Sequence, residues 1–444
     1  MRYDKNDFLS GVAVGRNLAS WPLGEGMDVF AFTIYMESAG TYSSPWIVFA
    51  GVIEWGDGTT SNYNNLNGYT GFDERKRGYT VHTYASAGYY TIRMVGDLRD
   101  WSTVQRGRIS DYNDTLISID TPFPATMSDR KIFFGCLRGS RNLVSLPSGL
   151  FSRCNAQDLQ NMCRQCQSLT SIPGDLLRGA SNVTNMILTF AQTPLQEIPP
   201  SLFAWSPNVE DISSIFSDCP YITEIPTGLF DTLAHLRILY LAFVRTSITE
   251  IPAGLFFNNP EVTSFEGTFG GLHITEIPPG LFDNCPNVTT FAGVFSGARI
   301  TDIPAGLFAN NTEVTTFETA FSGCENLTDI PSDLFASCPE VTSFRRVFRL
   351  CKNLTDIPSN LFASCPEVTT FEEAFRETGI TGIPSGLFSA CPLVESFYEC
   401  FDSCKDVTGN VPELWNDYPN ADGRDCFNDC TQAANYSSIP ANWR

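Results

Sequence analysis

The chain has 444 residues, 43% of them hydrophobic and 17% charged, an ordinary balance for a globular protein. Its 49 acidic and 28 basic residues give a formal net charge of −21, which argues against a nucleic-acid backbone as partner, because phosphate binding needs clustered Lys and Arg. No stretch approaches the roughly 18 consecutive apolar residues of a membrane-spanning helix.

In chain order, residues 1–26 form a leader that ends in Trp21-Pro-Leu-Gly-Glu-Gly26. Acidic residues precede its short apolar run and Arg16 closes it, so an export signal is not expected and synthesis in the cytosol is. Phe8, Leu9, Val12, Val14 and Leu18 are its candidate apolar contacts. They dock the chain onto a larger particle or pack on the adjoining domain. Residues 27–110 alternate β-branched and aromatic residues with Gly, Asn and Ser turns, and predict a small all-β domain. Residues 111–142 join that domain to a repeat array and are expected to form an irregular first coil that caps the array's open end.

The β-domain carries Ile53-Glu-Trp-Gly-Asp-Gly-Thr59 and His82-Thr-Tyr-Ala-Ser-Ala-Gly-Tyr-Tyr-Thr-Ile92. Asp57-Gly58 between strand-like residues marks a tight turn, and Tyr89 to Met94 predicts a strand. These two motifs resemble the PKD domain family. That resemblance implies an immunoglobulin-like β-sandwich acting as a spacer or adhesion module. The charged loop Asp73-Glu-Arg-Lys-Arg77 makes the gap between the motifs long for that family.

From residue 143 to 444 one short motif recurs, anchored by an apolar-Pro pair. The prolines fall at 147, 173, 199, 226, 252, 278, 304, 331, 358, 384, 412 and 440, a spacing of 26 to 28. A fixed period of this size means stacked coils, each too small to bury its own apolar face. Counting from the proline, apolar residues sit at −4, −1, +3, +4, +10, +13 and +17, as in Leu327, Ile330, Leu334, Phe335, Val341, Phe344 and Phe348. The proline opposes paired long helices; a short strand with an irregular return fits better. Leu236-Arg-Ile-Leu-Tyr-Leu241 resembles the Leu-x-x-Leu-x-Leu strand of leucine-rich repeats. Most copies lack an apolar residue at its last position, as at Gly267, Gly293, Thr319, Arg346 and Glu373, and add Phe-x-x-Cys. That variant resembles the BspA-like class. The fold expected is mainly β with short helical turns: a PKD/Ig-like β-sandwich, then a leucine-rich-repeat solenoid of 11–12 coils with a parallel sheet, on the order of 55 Å long.

Cys154, Cys285, Cys338, Cys365 and Cys391 lie seven residues after an anchor proline, and Cys166, Cys219, Cys324 and Cys351 seven before one. These inward positions predict buried thiols, not disulfides. The pairs Cys163-x-x-Cys166 and Cys426-x-x-x-Cys430 lack a second pair at zinc-site spacing, so no metal or cofactor is expected.

Two exposed columns are candidates for binding. Position −2 is acidic in seven consecutive coils, Glu197, Glu224, Glu250, Glu276, Asp302, Asp329 and Asp356, beside a row of Thr at −3. It serves as a contact strip for a cation or basic partner, or as a solvated polar edge. Positions +14 and +15 vary most and include Glu318, Arg345, Arg346, Glu372 and Tyr398, as expected of a recognition surface or of an unconstrained one. The three histidines are scattered, and no nucleophile elbow, phosphate loop or metal-helix motif appears, so no enzymatic activity is expected.

Adhesion-type modules on a chain without a visible export signal suggest a virion, assembled in the cytosol and acting outside. The segment Asp7 to Leu18 also resembles N-terminal segments of phage structural proteins. The expected role is a non-enzymatic surface protein of a bacteriophage, as capsid decoration, head fibre or tail-associated part. Its leader would meet other virion proteins, and its solenoid a host surface protein or glycan, with no nucleic acid and no membrane insertion. A homo-oligomer is left open. The alternative is an adhesin on the bacterial cell surface.

Overall fold

A computed structural model describes residues 28–66, 78–103 and 114–444. The leader contacts expected at Phe8, Leu9, Val12, Val14 and Leu18 lie outside the described residues. So does the charged loop from Asp73 to Arg77. The described chain is mainly β with almost no helix; its one α-helix is Leu414–Asp417.

Seven strands precede the repeats: β1 Val29–Met36, β2 Gly40–Ser43, β3 Trp46–Glu54, β4 Thr60–Asn64, β5 Val81–Tyr84, β6 Gly88–Ser102 and β7 Leu116–Ile119. Five form one antiparallel sheet in the order β4-β3-β6-β1-β7, and β2 pairs with β5. The period-two alternation of β1 sends Phe30, Phe32 and Ile34 inward, where they meet Phe49, Ile53, Ile92 and Met94. The expected strand from Tyr89 to Met94 is the start of β6. Asp57-Gly58 makes the tight β3–β4 turn, closed by the Trp55 amide on the Thr59 carbonyl at 3.1 Å, with Gly56 and Gly58 at positive φ.

The two motifs of this domain meet in space. The His82 ring stacks on the buried Trp55 at 4.7 Å and 6°, and its Nε2 lies 2.7 Å from Asp57 Oδ2. The Tyr84 hydroxyl donates to the Trp55 carbonyl at 2.8 Å. The Asp57 carboxyl is held at about 2: burial works upward, but hydrogen bonds from Thr59 and His82 outweigh it.

The repeats begin without a break in the core. β7 pairs antiparallel with β1 and, on its other edge, parallel with Ser145. Beneath it, Arg130 is buried against Asp100 of β6, donates to the Ile132 carbonyl at 3.0 Å, and lies over Phe133 at 4.6 Å. A ladder of parallel bridges then runs from Ile132 through Asp158, Asn185, Asp211, Ile238, Ser264, Thr290, Thr316, Ser343 and Thr370 to Ser396 and Asp422. Each coil therefore stacks on the next in register.

The predicted inward positions are buried in every coil from the one anchored at Pro173 to the one anchored at Pro384, and the phenylalanines stack in columns. Phe317 lies 5.7 Å from Phe291 and 5.9 Å from Phe344, with rings within 7° of parallel, and packs at a 52° tilt on Phe308 and Phe335 at 4.7 Å. The anchor proline opens a turn, its carbonyl taking the amide three residues on, as from Leu334 to Pro331 at 3.1 Å. Cys219, Cys324, Cys351 and Cys430 donate their Sγ protons to Phe carbonyls one coil back, each at 3.2 Å. Burial pushes the thiols of Cys285, Cys324, Cys338 and Cys391 up to about 12. They are structural thiols.

The parallel sheet expected along the repeats is reduced to one bridging residue per coil. The physical reason is a left-handed residue three places beyond the bridge. Leu241, Thr319, Arg346, Glu373 and Glu399 all sit there with φ between 52° and 56°, as Gly267 and Gly293 do at 60°. That residue ends the extended run and begins a series of tight turns. Alternate amides then bond forward to the next coil, as Phe344, Arg346, Phe348 and Leu350 do to Thr370, Glu372, Ala374 and Arg376 at 2.8–3.1 Å. The amides between them bond back three residues, as from Val347 to Phe344. Leu241 is thus a turn residue, half-buried, and not the last inward residue of a strand. Trp443 packs against Phe397 and Trp415, and its carbonyl accepts the Phe427 amide at 2.8 Å.

Candidate functional site

The acidic column is where the period places it. Glu197, Glu224, Glu250, Glu276, Asp302, Asp329 and Asp356 are all exposed. The neighbouring Thr column is a ladder of its own: the amides of Thr301, Thr328 and Thr381 bond to the carbonyls of Thr275, Thr301 and Thr355 at 3.0–3.1 Å. Its hydroxyls donate to the adjacent carboxylates, from Thr301 to Asp302 at 2.8 Å, Thr328 to Asp329 at 3.2 Å and Thr355 to Asp356 at 3.3 Å. Each carboxylate faces solvent on its open side, which keeps repulsion along the column small. Among the described residues no three His, Cys, Asp or Glu side chains group closely enough to hold a metal ion.

The second column is a charge network. Arg345 reaches Glu318 one coil back at 2.7 Å and Glu372 one coil forward at 3.1 Å. Arg346 donates to Glu373 at 2.8 Å, and Arg349 approaches its other oxygen at 3.0 Å. Arg376 continues the chain to Glu399 and to Asp402 at 2.9 Å. Glu373 is buried, which works against its charge, yet the hydrogen bond from Arg346 and the charges of Arg346, Arg349 and Arg376 hold its carboxyl below the usual range. The hydrogen bond to Glu318 raises Arg345 further. Tyr398 lies under Arg424 at 5.2 Å, and its phenol is raised by a hydrogen bond to Glu399.

The structure thus brings Glu318, Arg345 and Glu372 into one chain of contacts and gives Arg346 a buried partner. Arg349, Arg376 and Asp402 belong to the same network, though the sequence did not single them out, and Glu373 and Glu399 join it from the varying +15 column. The signal was there: one period on from Arg345 and Arg346 stand Glu372 and Glu373 in the same columns.

A shallow cleft of about 470 Å³ lies in the first coils, lined by Gln157, Asn182, Thr184, Asn208, Glu210 and His235. Its two walls are the exposed positions on either side of the inward Val183, Val209 and Leu236. His235 Nδ1 lies 3.1 Å from Glu261 Oε1.

Residues 223–393 match the family model described as the BspA type leucine rich repeat region, in six copies. These residues therefore carry leucine-rich repeats of the BspA type. No curated protein matches it. Among solved structures it is similar to Toll in the Toll–Spatzle complex of Drosophila, at 17% identity over 65% of this chain and 46% of that one, with a TM-score of 0.43. It is also similar to an internalin, InlF, of Listeria monocytogenes, at 12% identity over 66% of this chain and 78% of that one, TM-score 0.34. The functional domain of InlJ from the same organism matches at 13% identity over 62% and 59%, TM-score 0.32. The chain spans less than half of the Toll chain. Among the described residues no helix is long and apolar enough to cross a membrane.

Proposed function

We propose that this chain is a non-enzymatic surface protein whose repeats form a solenoid presenting one long face to a host protein or glycan. Its β-domain, in this reading, is a PKD-like, immunoglobulin-like sandwich that carries the solenoid. The observation behind the proposal is a constant scaffold with a varying face. From coil to coil the inward columns and the amide ladder repeat, while position +14 runs Glu266, Ala292, Glu318, Arg345, Glu372, Tyr398. Residues that vary on fixed backbone differ in what they contact, not in what they fold.

Two placements give such a face a purpose. On a phage particle the leader docks to other virion proteins; on a bacterial cell the same face acts as an adhesin. Finding the chain in purified virions assigns the first, and finding it on uninfected cells assigns the second. Binding is tested by presenting the intact chain to host-surface proteins and glycans, with the double variant Arg345→Glu, Arg376→Glu beside it. Saturable binding that this variant weakens supports the reading. Turnover of a glycan or peptide substrate by the intact chain overturns it.

A further inference from the structure

Exposed polar side chains in the array fall into two classes, those satisfied by the coil behind them and those left open. Along the later coils the column beside the bridges is closed. Thr263, Thr289, Thr315, Thr342 and Thr369 each give their hydroxyl to the carbonyl one coil back at 3.1–3.2 Å. The same column in the first coils holds Gln157, Thr184, Glu210 and Arg237, whose side chains make no protein hydrogen bond among the described residues. Across the cleft, Asn182 and Asn208 use only Nδ2, on Asn155 at 2.6 Å and the Ser181 carbonyl at 2.9 Å, and keep Oδ1 open. His235 turns Nδ1 to Glu261 and keeps Nε2.

We infer that this cleft is a subsite for a neutral, hydroxyl-rich oligosaccharide; the inference deepens the contact role proposed above and rests on it. Its lining offers acceptors (Glu210 and the two Asn oxygens) and donors (Gln157, Thr184, His235) on facing walls. A sugar ring carries hydroxyls that both donate and accept, which matches that mixture. The cleft's own charge is Glu210, with Arg237 one coil on in the same column, so there is no excess of positive charge to draw phosphate, sulfate or carboxylate groups. The lining holds no large aliphatic or aromatic side chain except the imidazole, so an apolar ligand or an apolar peptide anchor finds nothing to bury against. The six residues come from four successive coils, about 14 Å at one strand spacing each. That length suits a linear chain of rings rather than a single one.

The test is titration calorimetry of the intact chain with neutral tetrasaccharides (cello-, malto-, manno- and N-acetylchitotetraose). Variants are Glu210→Ala, Thr184→Val and, on the return segment away from both candidate columns, the exposed Asp333→Ala, with circular dichroism to confirm that each is folded. Saturable binding of at least one probe is expected. Glu210→Ala should weaken it by about tenfold or more, the cost of losing one hydrogen bond to a charged group, while Asp333→Ala leaves it unchanged. Binding that Glu210→Ala and Thr184→Val leave intact overturns the cleft assignment but not the contact role. So does a chain that binds host-surface protein and none of the four sugars. A chain that binds neither overturns both.

Discussion

The β-domain and the repeat array are stabilised by opposite strategies. In the domain each contact is made once and joins distant parts of the chain. Val29 of β1 pairs with Val95 of β6, and Asp57 meets His82. In the array each contact is repeated, and its partner stands one period away. A domain of single contacts concentrates its stability, whereas an array of nearest-neighbour contacts spreads it. The array can therefore vary its outward columns, and the domain has little it can vary without loss. Where the two meet, the core is continuous and a buried ion pair, Arg130 with Asp100, lies at the joint.

That joint should give the largest effect. Arg130→Met takes this charge away from the buried Asp100 and is expected to cost about 3–5 kcal/mol in denaturant unfolding. Replacing both, as Arg130→Met with Asp100→Leu, should recover most of that loss, because an apolar pair needs no desolvation. If the single variant unfolds no more easily than wild type, the joint is not held as described.

In the array, Phe317→Ala removes a fully buried ring from the middle of two stacks, at an expected cost of about 3–5 kcal/mol. Hydrogen exchange should show the loss centred on the coils that carry Phe291, Phe308, Phe335 and Phe344. Loosening spread equally to the β-domain would contradict nearest-neighbour stability.

Acid separates the two regions on a smaller scale. Asp57 titrates at about 2 when folded, below its ordinary 3.8. A carboxyl lowered on folding stabilises the native state above its unfolded value, and that contribution is lost as pH falls through the folded one. Wild type should therefore lose stability between pH about 4 and 2 that Asp57→Asn does not lose. Glu373 acts in the same direction within the array, so some acid sensitivity should remain in Asp57→Asn and diminish in Glu373→Gln. An acid limb identical in wild type and Asp57→Asn would show that the contacts of Asp57 with Thr59 and His82 carry no stability. The smallest effect belongs to the acidic column: Glu276→Gln, exposed and solvated, should change stability by less than about 0.5 kcal/mol.

The repeats were legible in the sequence because periodicity reports burial directly. Leu327, Phe335, Phe344 and Cys351 had to point inward if every copy was to stack. The turn at Asp57-Gly58 was legible for a local reason, the ease of positive φ at glycine. The left-handed turns were not. Leu241, Arg346 and Glu373 adopt a conformation that their side chains disfavour, held by amides bonded to the next coil. Nothing in a single copy announces that. The charge network was half-visible, since Arg345 and Glu372 occupy one column, but their contact requires coils in register. The cleft was hidden because it depends on which polar groups their neighbours leave unsatisfied, and Thr184 looks in sequence like any Thr of the ladder. The Arg130–Asp100 joint is a long-range pair with no pattern around it.

The central claim is that inward columns and the amide ladder carry the fold while the outward face is free for contact. Its most direct test is the unfolding free energy of the triple variant Glu318→Ser, Arg345→Ser, Glu372→Ser, which strips three successive coils of their face. The pairs it removes are partly exposed, and such pairs contribute roughly 0–1 kcal/mol each, so stability should stay within about 2 kcal/mol of wild type. A loss as large as that of Phe317→Ala would show that the face holds the fold together, and the claim would be wrong.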